Sequence, residues 1–149
     1  MSDKTLEKLI LIVDDQPDDQ AVLTHNLRRL GVENPVLCLE DGHEAIRYLN
    51  GDGRYADRVE FPVPAVLFLD LHLPVLSGFE VLDWVKVCAL KRDSHIFIYS
   101  SLGSVDQIQR VYRLGADSFV KKPVQEMDLL NLMHHFPKPW LTKPQKISP

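Results

Sequence analysis

The chain has 149 residues, 45% apolar and 26% charged, which suits one globular domain able to bury a core without disulfide or metal staples. Seventeen Lys and Arg against 21 Asp and Glu give a net charge of −4, so nothing draws the whole chain toward nucleic acid. No apolar run approaches the roughly 20 residues that span a bilayer, and the polar N-terminus lacks the apolar centre of a signal peptide.

Leu9-Ile10-Leu11-Ile12-Val13 is a continuous apolar run that stops abruptly at Asp14-Asp15. A run without alternation predicts a strand buried on both faces. Pro17 and Asp18-Asp19 open a helix: proline fits the first turn, and the acids suit its positive end. Ala21, Val22, Leu23, Leu27 and Leu30 recur at helical spacing until Gly31 ends the segment. Val36 to Leu39 reads as a second strand, and Asp41-Gly42 turns into a helix carrying Ala45, Ile46 and Leu49. A polar loop is expected from Asn50 to Asp57.

Ala65 to Leu69 is the third apolar strand, again ending in acid, at Asp70. Leu73-Pro74 and Gly78 make a loop before a helix with Phe79, Val81, Leu82, Val85 and Leu90. His95 to Tyr99 is strand four, ending at Ser100-Ser101, and Val105 to Leu114 is helical until Gly115. Ser118 to Val120 is strand five, ending at Lys121-Lys122-Pro123, and a last helix runs from about Gln125 to His135. His134-His135 reads as a cation-favouring helix end rather than a metal site. Five strands alternating with five helices predict an α/β fold with a parallel sheet covered on both faces. In such sheets ligands bind beyond the carboxyl ends of the strands, where the strand order reverses. Asp14-Asp15, Asp70, Ser100-Ser101 and Lys121-Lys122 therefore converge on one rim.

From Pro137 the chain is expected to be an extended, proline-rich tail over 137–149 rather than a second domain. Phe136, Trp140 and Leu141 are too apolar to wave in water; packing on the body and packing on a partner both remain open. Cys38 and Cys88 lie fifty residues apart with no His or Cys at ligand spacing. They are expected to be small buried hydrophobes in a reducing cytoplasm. Gly51-x-Gly53-x-x-Ala56 imitates a dinucleotide fingerprint but follows a helical segment, not a strand.

Carboxylates gathered on one rim repel one another and raise each other's pKa values. A hard, partly hydrated cation such as Mg²⁺ relieves that repulsion and still leaves room for a phosphate. Lysine supplies a compact positive charge for phosphate oxygens, and a serine hydroxyl can donate to the same group. No serine-hydrolase order, metalloprotease motif or phosphate-cradling glycine loop competes. What remains is an aspartate that itself accepts a phosphoryl group.

These residues carry a resemblance. Paired acids after strand one, Asp70 opening Asp-Leu-His-Leu-Pro, Gly78 four residues after Pro74, Ser100 thirty residues after Asp70, and Lys122-Pro123 twenty-two after Ser100 are in register. The chain resembles a receiver domain of a two-component response regulator over roughly Leu9 to His135. The resemblance implies a flavodoxin-like, doubly wound sheet of order 2-1-3-4-5, with residues 1–136 as the receiver and no separate output domain. It implies Asp70 as phosphoacceptor, Lys122 as phosphate partner, and Ser100 and Phe119 as hydroxyl and aromatic switch positions. It implies Mg²⁺ held by Asp14, Asp15, Asp70 and the backbone carbonyl of His72, with Asp15 the direct ligand and Asp14 the holder of a metal-bound water. A cis Lys122–Pro123 bond also follows from it.

More narrowly, the segment from Tyr48 to Ala56, the Asp-Leu-His-Leu-Pro motif and the aromatic C-terminal tail resemble the stand-alone regulators that partner cyanobacterial phytochromes. The implied partners are a histidine kinase, with a phytochrome as the narrower choice, and a second copy meeting the helix 4–strand 5–helix 5 face and tail; neither nucleic acid nor membrane is expected. Ser100 stands where threonine is common in the family and His72 where a polar amide is common; both changes keep the chemistry. Two rival functions share parts of this pattern. A dehalogenase-type phosphatase needs a second acid two residues after the nucleophile, where this chain has His72. A phosphorylation-independent adaptor would not need the full set of acids and lysine that the chain keeps.

Overall fold

The computed structural model describes residues 8–87, 94–101 and 103–142. In chain order the elements are β1 (Ile10–Val13), α1 (Pro17–Arg29), β2 (Val36–Leu39), α2 (Gly42–Asn50), β3 (Val66–Leu69), α3 (Gly78–Val87), β4 (His95–Ser100), α4 (Val105–Arg113), β5 (Ser118–Lys121) and α5 (Glu126–His135). All strand pairs are parallel, and the sheet order is β2-β1-β3-β4-β5. The expected α/β architecture and strand order are therefore those found. The order reverses between β1 and β3, which opens a crevice at their carboxyl ends.

The continuous apolar runs are buried on both faces because helices cover both sides. Leu11, Val13, Leu67, Leu69, Ile96 and Ile98 point toward α2, α3 and α4, meeting Ala45, Leu49, Val81, Leu82, Val85 and Val111. Ile10, Ile12, Val66, Phe68, Phe97 and Tyr99 point to the other side, against Leu23, Leu27, Leu129 and Leu132 of α1 and α5. Helix ends follow their sequence signals. Asp41 accepts the Glu44 N–H at the start of α2, and Ser104 with Gln107 forms a capping box on α4. No helix among the described residues is long and apolar enough to cross a membrane.

Two details depart from the sequence expectation. The segment after α2 is not simply a polar loop: it forms a 3₁₀ turn (Gly53–Tyr55), and Tyr55 is buried in an edge-to-face cluster with Tyr48 and Phe61. Cys38 is exposed, not buried, because β2 is an edge strand paired only with β1. Cys88 and the predicted helical position of Leu90 lie outside the described residues. Gly51 takes a left-handed φ of 71° as the cap of α2, so the Gly51-x-Gly53 spacing serves a helix end.

The start of the C-terminal segment packs on the body. Trp140 is 8% exposed, stacks on Phe97 with ring centroids 6.0 Å apart, and donates its indole N–H to the Phe136 carbonyl at 2.7 Å. Asn34, fully buried, ties three stretches together: its amide donates to the Lys8 and Pro139 carbonyls, and its carbonyl accepts the Leu141 N–H. Trp140→Ala is expected to destabilise the protein by about 3–5 kcal/mol, the usual range for emptying a buried indole site. Urea unfolding checks it; a loss below about 1 kcal/mol would mean that Trp140 is not integral to this core.

Candidate phosphoacceptor site

The carboxyl ends of β1, β3, β4 and β5 meet at one rim. Asp14 and Asp15 directly follow β1, and Asp70 directly follows β3; Asp14 is fully buried and Asp70 is 4% exposed. Asp14, Asp15 and Asp70 each offer a carboxylate oxygen, all within 4.8 Å of one another. The backbone locks two of these groups. Asp14 Oδ1 accepts the Gln16 N–H at 2.9 Å, and Asp70 Oδ1 accepts the His72 N–H at 3.1 Å. A Cβ at Gly78 would run into the Asp70 carbonyl oxygen, so glycine is what lets α3 start so close to the acid.

Lys122 arrives from beyond β5, through a cis Lys122–Pro123 peptide. Its N–H donates to the Ser100 carbonyl at 2.9 Å, which fixes the end of β5 against the end of β4. Its ammonium bridges three carboxylates: Asp14 Oδ2 at 2.7 Å, Asp70 Oδ2 at 2.9 Å and Asp19 Oδ2 at 3.0 Å. Burial works to depress the lysine pKa, but the hydrogen bonds to Asp14, Asp70 and Asp19 outweigh it and hold the group above its ordinary value. Asp70 is pushed up from the usual carboxylate range by burial, against the opposing pull of Lys122 and the His72 N–H.

Ser100 closes β4 and is fully buried; its Oγ has no hydrogen-bond partner among the described residues. A buried hydroxyl without a partner costs free energy, so this one is suited to an oxygen that arrives later. Phe119 on β5 is half-buried, and its ring lies against the loop backbone at Gly103, where a Cβ would stand 2.6 Å from Cζ. The Phe119 N–H donates to the Tyr112 hydroxyl at 3.1 Å, linking β5 to α4. The His72 side chain and Lys121 are exposed.

Two participants escaped the sequence reading. From sequence Asp19 serves only the helix dipole, yet it sits in the first turn of α1 and bonds Lys122. Tyr99, fully buried, donates its hydroxyl to Asp14 Oδ2 at 2.8 Å, and its ring centroid lies 4.7 Å from the Lys122 ammonium. Burial first, and then the charge of Asp14, push the Tyr99 pKa up, so the phenol stays a donor. A signal was present: a tyrosine one residue from the rim of an apolar strand needs a partner for its hydroxyl.

The donor set tests what the pocket can hold. Four carboxylates (Asp14, Asp15, Asp19 and Asp70) stand at the rim and Lys122 bonds three of them, so among the described residues the rim carries excess negative charge. Its ligand atoms are hard oxygens, which suit a small divalent cation. The residues therefore fit a divalent metal.

The family described as "Response regulator receiver domain" matches residues 10–134. Among solved structures, the bacteriophytochrome response regulator RtBRR superposes with a TM-score of 0.79 at 30% identity, covering 92% of this chain and 82% of that one. The phosphorylated cyanobacterial phytochrome response regulator RcpA gives a TM-score of 0.72 at 28% identity, over 89% of this chain and 92% of that one. Response regulator Rcp1 of Synechocystis is 26% identical over 134 residues, spanning 90% of this chain and 89% of Rcp1. The Mn²⁺-bound form of Rcp1 superposes with a TM-score of 0.73 at 26% identity, over 92% of this chain and 99% of that one. With its sheet order, its rim of acids and a match over most of its length, the chain belongs to the response regulator receiver domains of two-component signalling.

Proposed function

We propose that the protein is a phosphorylation-dependent switch whose acceptor is Asp70 and whose donor is a histidine kinase of the phytochrome type. The observation that carries this is the Lys122 ammonium spanning Asp14 and Asp70 at 2.7 and 2.9 Å, a preset cation beside a carboxylate at the switch point of the sheet. The likeness to phytochrome response regulators supports the choice of kinase.

In this reading an Asp70 carboxylate oxygen attacks the phosphorus of a phosphohistidine. The new P–O bond forms as the P–N bond breaks, the electron pair leaves with the imidazole nitrogen, and that nitrogen takes up a proton. Asp14, Asp15, Asp70 and the His72 carbonyl would hold Mg²⁺, with Asp15 as the direct acid ligand beside Asp70. Asp14, whose oxygens already accept from Gln16, Tyr99 and Lys122, would hold a metal-bound water. When bound, Mg²⁺ offsets charge on the equatorial phosphoryl oxygens. Lys122, already bonded to Asp70, would supply a second positive charge for those oxygens, and the His72 N–H keeps Asp70 oriented.

The acyl phosphate adds about −1.5 to −2 charge. The unpartnered Ser100 hydroxyl donates to a phosphoryl oxygen, and Phe119 moves into the space behind it. The face of α4, β5 and α5 then changes shape. That face already exposes Val105, Tyr112, Met127 and Leu130, which supports its use as a contact for another protein, a second copy included. Residues 1–136 act as the receiver, and the first residues of the 137–149 segment complete its core through Trp140. Incubation with a phytochrome-type histidine kinase and labelled ATP tests the reading. Label is expected to pass to this chain within minutes and to require a divalent cation; a fully labelled kinase that never transfers in its presence would contradict it.

A further inference from the structure

Lys122 has no donor to spare. An ammonium carries three N–H groups, and Asp14, Asp70 and Asp19 accept one each. If Asp70 and Lys122 work as read above, which this inference presupposes, a phosphoryl oxygen can bond to Lys122 only when one carboxylate lets go. The three are not equally free to do so. Asp14 is fully buried and shares its Oδ2 with the Tyr99 hydroxyl, so losing Lys122 would strand a charge in the core. Asp70 is the acceptor itself, and its side chain is 6% exposed. The Asp19 side chain is 41% exposed, on the first turn of α1, where water and the helix end compensate it when it turns outward.

We propose that Asp19 is a positioning residue that holds Lys122 before phosphorylation and is the carboxylate a phosphoryl oxygen displaces. Its bond to Lys122 is a toll on every phosphoryl ligand, and its charge opposes the incoming anion. Part-exposed ion pairs are weak, so the toll is small: its removal should tighten a phosphoryl analogue about two- to five-fold. The sign is what separates the proposal from a structural role. Loss of an acid from a helix N-terminus lowers stability slightly and gives no reason for tighter binding.

The test is calorimetric titration of the full chain, in Mg²⁺, with beryllofluoride as the analogue. The parent protein, Asp19→Asn and Asp19→Glu are compared, with thermal unfolding of each run alongside. Tighter binding by Asp19→Asn, with Asp19→Glu close to the parent, is the expected result. Equal or weaker binding by Asp19→Asn, while the parent binds, overturns the role of Asp19. Failure of the parent to bind at all overturns the reading of Asp70 and Lys122 on which the inference rests.

Discussion

Asp70→Asn is expected to take up no phosphoryl group from kinase or small acyl phosphates, with labelling lower by at least about 10²–10⁴-fold. The amide keeps the size of the side chain and can still accept from the His72 N–H and Lys122, so geometry is preserved while the nucleophile is lost. The same substitution has a second expected consequence. Asp70 is buried, its charge is disfavoured there, and it shares one lysine with Asp14 and Asp19. In metal-free buffer near pH 7, Asp70→Asn should therefore be more stable than the parent by about 1–3 kcal/mol, as when buried charges are replaced by neutral groups of similar volume. Added Mg²⁺ should narrow that gap, since the parent then binds the ion better. Phosphorylation that persists at another residue would remove Asp70 from its role, whatever the stability shows.

Lys122→Met should have the opposite effect on stability. Methionine keeps much of the stem against the Tyr99 ring but removes the only cation that bonds Asp14 and Asp70 among the described residues. Breaking a buried ion pair from one side typically costs about 3–5 kcal/mol, because the remaining charge is stranded. Mg²⁺ should restore a substantial part, about 2.7 kcal/mol at a hundred times its dissociation constant. Phosphoryl acceptance should fall about 10²–10³-fold, the loss expected when a preset electrostatic partner is removed. Urea unfolding with and without Mg²⁺ measures the first effect and acetyl phosphate labelling the second. A stability loss that Mg²⁺ does not change would mean that the carboxylates do not act as one charged cluster.

Much of this was legible because two period rules coincide. Unalternating runs such as Leu9 to Val13 and Ala65 to Leu69 demand cover on both faces, and the parallel connection then forces every strand's carboxyl end to the same rim. Once that holds, Asp14, Asp15, Asp70, Ser100 and Lys122 must be neighbours in the fold, however far apart in the chain. The contributions that stayed hidden depend on orientation rather than order. Asp19 could satisfy the helix dipole equally well facing water or facing Lys122, and only the docking angle of α1 decides between them. Tyr99 alternates with Ile98 and Ser100, so a one-residue slip would send its hydroxyl to the other face of the sheet. Asn34 reads as a turn residue, yet it is the buried clasp that joins the two ends of the domain. The exposure of Cys38 follows from the edge position of β2, which a run of four residues does not announce.

The most direct check is intact-protein mass spectrometry after incubation with acetyl phosphate, with Mg²⁺ or with a chelator, followed by peptide mapping. One added phosphoryl group located at Asp70, formed in Mg²⁺ and absent in the chelator, is the predicted result. An unmodified protein in Mg²⁺, or a phosphoryl group that forms equally well in the chelator, would contradict it.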